Sequence, residues 1–135
     1  MSNELGYRER QLVELAAIGG SEHIRTLALV VANSRSSFTV SYVREQVPTY
    51  CVATLAELRA VSTQYFNDTY SADSEQGPAA AHMIAIDLTE LPLEDTALFA
   101  ANLRFATKLG ILYILSPKQF DLFEEGTFDC VVRKV

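Results

Sequence analysis

TLALVVA, Thr26 to Ala32, is the stretch that decides the fold class. A continuous apolar run with β-branched residues reads as a strand covered on both faces, as in parallel sheets. Working outward, Ser36 to Arg44 sets Val40 and Val43 at helical spacing ahead of Pro48, and TYCVA (Thr49 to Ala53) is a second short strand. Leu55 to Phe66 is predicted helical, with Leu55, Leu58 and Val61 on one side. Before the first strand, Leu5 to Ile18 carries Leu12, Leu15, Ala16 and Ile18 on one helical face, and Gly19-Gly20 stops it.

The second half repeats the alternation. HMIAIDL (His82 to Leu88) is a third strand, and Leu93 to Leu109 a helix with Leu98, Ala101, Phe105 and Leu109 on its buried face. ILYIL (Ile111 to Leu115) is a fourth strand, and FDCVVRKV a fifth, reached through a connection without an obvious full helix. Alternation of strands and helices predicts a parallel sheet with helices on both faces. The expected fold is a three-layer, Rossmann-like α/β domain with a mostly parallel five-stranded sheet and helices on both faces. One domain spans 1–135, with an acidic loop insertion at about residues 67–79.

Composition narrows the function classes. The chain is 49% apolar and 21% charged, with a net charge of −6. A phosphate backbone demands a basic stripe, and the basic residues here are scattered apart from Arg133-Lys134. Nucleic-acid and membrane-surface roles are therefore not expected. The longest apolar run, Leu27 to Ala32, is far short of a membrane span. The polar start MSNELGYRER reads as neither signal nor transit peptide, although a processed precursor would have lost one. Cys51 and Cys130 sit in apolar strand-like runs and read as reduced thiols. An intracellular protein, of the cytoplasm or an organellar matrix, is expected.

Residues 26–54, TLALVVANSRSSFTVSYVREQVPTYCVAT, resemble the start of the C-terminal regulatory domain of pyruvate kinase. That family has an apolar strand, a loop of the type Thr-x-Ser-Gly-Arg-Ser/Thr, a helix ending in Tyr-Arg-Pro, then a proline and a second strand ending in Thr. Arg35-Ser36, Arg44, Pro48 and Thr54 match in register without a gap, and Arg59 falls within about one residue of the next helix's arginine. Further on, the order of elements agrees, and the resemblance implies that the last of the five strands is antiparallel. The phosphate turn departs: Val31 and Asn33 replace the hydroxyls, and Ser34 replaces the glycine. The loop that would close over a sugar phosphate presents Asp121, Glu124 and Glu125 against Lys118 alone. Such carboxylates repel a phosphate, which weighs against effector binding of the family type. The family's kinase reaction resides in other domains, so no catalytic role is implied.

IDLTELPLEDT (Ile86 to Thr96) gives a second resemblance, to STAS domains of the anti-sigma-factor-antagonist type, with SPKQFDLF like their later Ser-Pro helix. It implies a phospho-switch at Asp95-Thr96, although the Gly-x-Leu-Asp segment and final helix are missing.

From the residues themselves, Asn33, Ser34, Arg35 and Ser36 are the small-anion candidate, at a strand end and a helix mouth. The bland alternative has Ser36 capping the helix and Arg35 solvated. Asp87 is the odder carboxylate, because it ends an apolar strand; Glu94 and Asp95 suit the first turn of a helix opened by Pro92. His23 and His82 lack partners at metal spacing, and neither a metal nor a cofactor is expected. Phe120, Leu122 and Phe123, near Phe128, are either core or an exposed partner surface. The expectation is a non-catalytic structural or interaction subunit of a larger assembly or homo-oligomer, with protein partners and at most a weakly held small anion. The alternatives are a sensor of a phosphorylated metabolite and a STAS-like phospho-switch.

Overall fold

The computed structural model describes residues 6–19, 24–70, 83–103 and 110–134. The elements are α1 (Tyr7–Ala17), β1 (Thr26–Val31), α2 (Phe38–Gln46), β2 (Thr49–Cys51), α3 (Leu55–Tyr70), β3 (Ile84–Asp87), α4 (Leu93–Leu103), β4 (Ile111–Leu115), α5 (Pro117–Phe120) and β5 (Cys130–Lys134). They form an α/β fold around one five-stranded sheet of order β2-β3-β4-β1-β5.

Each pair of neighbouring strands is parallel, β1 with β5 included. The last strand is therefore not antiparallel. A parallel return needs a crossover of about a dozen residues or more. Residues 116–129 supply it with the short helix α5 and a chain of turns. Gly126 takes a positive φ of 86° in that connection, a conformation L side chains resist.

Period-two alternation sorts the core into two layers. On one face Leu27, Leu29, Ala85, Leu112, Ile114 and Val132 meet Leu12, Val13 and Ala16 of α1 and Val40, Val43 and Val47 of and after α2. On the other, Ala28, Ile84, Ile86, Ile111, Tyr113 and Leu115 meet Leu58 of α3, with Leu55, Val61, Phe99 and Leu103 packed alongside. Burying each such leucine or isoleucine contributes about 1.5–3 kcal/mol. β1 is an interior strand between β4 and β5, and all six of its residues are buried.

Two helix faces differ from the sequence expectation. Ile18 is exposed at the end of α1, where the chain turns through Gly19 at a φ of 89°. In α4, Leu98 and Ala101 are exposed, while Phe99 and Leu103 pack on the core. Phe99 reaches the rings of Tyr113 and Phe123 at 5.5 and 6.2 Å, so aromatic packing sets the rotation of the helix. Gly20, His23, His82, Phe105, Leu109 and most of the 67–79 segment lie outside the described residues; α3 itself runs on to Tyr70.

Candidate functional site

The carboxyl ends of parallel strands are where open α/β sheets place their ligands. β1 leads into α2 on the α1–α2 face and β4 into α5 on the opposite face, so the ends of these adjacent strands form a switch point. Beside it the chain after β3 stays paired to β4, the Leu88 amide donating to Ile114 O at 2.9 Å.

Asp87 is the hub there. It shares strand parity with Ala85, so its carboxylate faces α2, and it is only 3% exposed. Its Oδ1 accepts the amide of Thr89 at 2.9 Å and the Thr89 hydroxyl as well. The Thr89 hydroxyl is also 2.9 Å from that of Ser34, which ties the loops after β1 and β3 together. Arg44, in the last turn of α2, brings its guanidinium to 3.7 Å from Asp87 Oδ2. Cys51 is the register partner of Asp87 on β2, and its Sγ accepts from Arg44 at 3.7 Å.

The anion candidates are not brought together. Ser34 is buried and turned inward to Thr89, whereas Arg35 points outward and pairs with Glu90 at 3.0 Å. Asn33 Oδ1 accepts the Arg35 amide at 3.0 Å, an Asx-type turn that uses one donor an anion would need. Ser36 is exposed and does not cap α2. The helix starts at Phe38, so the cap is Ser37, whose hydroxyl accepts the Val40 amide. An anion settling here would have to displace Glu90.

Thr96, the candidate phosphosite, is wholly buried, so its hydroxyl is not presented at the surface. Its hydroxyl donates to Pro92 O at 2.9 Å and accepts from Gln119 Nε2 at 3.2 Å. Glu94 and Asp95 do lie in the first turn of α4, where carboxylates complement the helix dipole. Gln119 itself is 1% exposed. Its amide nitrogen donates to Leu88 O and Leu91 O, and its oxygen completes a capping box by accepting the Ser116 amide at 2.9 Å. This side chain stitches α5 to the β3–α4 connection.

The phenylalanines divide. Phe120 and Phe123 pack against the core and ring Phe128 at 6.1 and 5.0 Å, and Arg133 lies over Phe120 at 5.2 Å. Leu122 stays exposed. As a partner surface the cluster reduces to Leu122, because the aromatic pair is needed to cover β5 from below.

The apolar surface lies elsewhere. Between α1 and β5 runs a groove of about 570 Å³, floored by Leu12, Leu15, Cys130, Val131 and Val132 and rimmed by Arg8, Glu14 and Ile18. Tyr7 and Ile18, at the two ends of α1, are 76% and 69% exposed. A smaller hollow of about 230 Å³ separates α3 from α4 beside Leu98. The sequence pattern did not flag the larger groove, because Leu15 and Ile18 look like core residues on a helical wheel. Among the described residues no cluster of metal-ligating side chains occurs, and no helix is long and apolar enough to cross a membrane.

Set against family models, curated proteins and solved structures, the chain matches none of them.

Proposed function

We propose that this domain is a non-catalytic structural or interaction subunit of a larger assembly or homo-oligomer, and that the α1–β5 face is its contact surface. One contrast carries the reading. The polar groups at the carboxyl ends of the strands bond to each other, from Ser34 through Thr89 and Asp87 to Arg44. On the α1–β5 face, by contrast, Ile18 is left open to water and Leu15, Cys130 and Val131 are only partly covered. Exposing such a patch costs solubility, and it is kept where a partner covers it. The likeness of residues 26–54 to a regulatory domain suits a non-catalytic module, but the reading does not require that ancestry, since β5 departs from the strand direction it implied. The metabolite-sensor reading has less support, because Arg35 is held by Glu90. So has the phospho-switch, because Thr96 is buried.

The test is mass in solution and in extract of the native source, by size exclusion with light scattering. The expected result is a species heavier than one chain that Ile18→Asp disperses and Arg35→Ala leaves intact. A chain that is monomeric both alone and in that extract overturns the reading.

A further inference from the structure

Resting on that reading, we infer that the partner is a second copy of this chain, packed α1 against α1 in antiparallel about a two-fold axis level with the Leu12–Val13 peptide. Tyr7 and Ile18 are the two most exposed large apolar side chains among the described residues. They stand at opposite ends of α1, about three turns apart and within about 20° of each other around it. Leu12, Val13 and Ala16 hold the other side of the helix on the sheet. A helix with such a residue at each end of its outward face is covered at both ends by an antiparallel copy of itself.

The residues between them fit the same arrangement. Tyr7, Gln11, Glu14 and Ile18 are all exposed and follow the four-three-four spacing of a two-helix seam. The axis sets Tyr7 against Ile18 of the second copy and Gln11 against its Glu14, each twice. Gln11 Nε2 donates to the Tyr7 hydroxyl at 2.8 Å and keeps a second N–H for that carboxylate. Arg10, also exposed, lies on the same flank of the seam as Glu14. Across the axis Arg10 and Glu14 differ in height by about 1.5 Å, so each Glu14 meets an arginine of the other chain.

Other arrangements lose these matches. An axis at Gln11 carries Ile18 past the start of the second helix, and one at Leu15 carries Tyr7 past its end. A parallel pair stacks Glu14 on Glu14 and Arg10 on Arg10. The antiparallel two-fold matches unlike charges and apolar ends together, as an isologous contact requires. On the other flank Leu15, at the lip of the α1–β5 groove, comes under the aliphatic stem of Arg8 from the second copy. The contact is a single helix face, so the dimer is weak and reversible.

Sedimentation velocity of the full chain over about 1–100 µM covers the range in which such a dimer forms. A monomer–dimer equilibrium is expected. Ile18→Asp and Tyr7→Asp each place a carboxylate in the end layers and should raise the dissociation constant roughly tenfold or more. Glu14→Arg or Arg10→Glu alone sets like charges together and should weaken the dimer by a similar factor. Arg10→Glu and Glu14→Arg in one chain restore unlike pairs and should recover most of the loss. All four positions are exposed, so circular dichroism should show every variant folded. A dimer that Ile18→Asp disperses but both single charge reversals leave alone overturns this register and leaves the α1–β5 contact standing. A chain monomeric at about 100 µM that enters a heavier species in native extract overturns the second copy alone.

Discussion

Cys51 and Asp87 are register partners on adjacent parallel strands, and the Cys51 thiol lies 3.9 Å from the Asp87 Oδ2 that also faces Arg44. The carboxylate is nearly sealed off, yet it stands at the end of a strand otherwise built of Ile84, Ala85 and Ile86. It is held by charge on one side and by the Thr89 amide and hydroxyl on the other.

Removing that hub should loosen the loops after β1 and β3 together. Asp87→Ala strips the two bonds from Thr89 and the weaker one from the Cys51 thiol, and takes the carboxylate away from Arg44. A loss of about 2–3 kcal/mol is expected, discounted because the guanidinium is part-exposed. Asp87→Asn keeps an acceptor for Thr89 and should lose only about 1 kcal/mol. Urea unfolding followed by circular dichroism decides; equal midpoints for the wild type and Asp87→Ala would contradict the role given to this residue.

The two thiols should behave differently and never pair. β2 and β5 are opposite edges of the sheet, about 19 Å apart at the usual strand spacing, well beyond disulfide reach. Both cysteines are free; Cys51 is exposed and Cys130 is partly covered. Timed iodoacetamide labelling of the native protein, read by peptide mass, should modify Cys51 first. Faster labelling of Cys130 would show that α1 does not lie over β5 as described.

Gln119 should be the costliest polar residue to truncate. Gln119→Ala removes the amide that donates to the carbonyls of Leu88 and Leu91, leaving Leu88 O only its bond from the Leu91 amide, and breaks the Ser116 capping box. The expected destabilisation is about 2–4 kcal/mol. Thr96→Glu forces a charge into the same buried place and should be at least as severe. Intact mass after treatment with a Ser/Thr kinase should show no phosphate on Thr96 while the domain is folded.

Alkaline pH supplies the fourth test. Burial, with a smaller contribution from Tyr65, raises the Tyr113 hydroxyl well above the tyrosine value of 10.0. In the unfolded chain it ionises near pH 10, while in the folded domain it keeps its proton. Below pH 10 both states are neutral and the full stability is present. Above it the unfolded state is favoured, by about 1.4 kcal/mol per pH unit until the folded value is reached. Tyr113→Phe should flatten that slope between pH 10 and 11 relative to the wild type; an unchanged slope would mean the hydroxyl is not the group responsible.

The layers were legible in the sequence wherever periodicity and burial coincide. Val40 and Val43 on α2, Leu58 on α3 and the unbroken run of β1 lie where their spacing put them. The direction of β5 was not legible, because a four-residue helix and turns carry no periodic signal, and the antiparallel expectation came from the resemblance alone. The rotation of α4 was missed for a related reason. Leu98 and Phe99 are both apolar, and only the ring contacts to Tyr113 and Phe123 choose between them. Asp87 stood out as a carboxylate closing an apolar strand. Its partners Thr89, Arg44 and Cys51 come from three other segments, and no local pattern announces such a meeting.

The stubby β2 has a consequence for what the domain cannot become. A sheet with two inviting margins polymerises, each added chain exposing a fresh one. Here Pro48 and the brevity of residues 49–51 leave one margin unsuited to docking. Strand addition is thereby confined to the β5 margin, and end-to-end growth of the sheet has no second site to continue from.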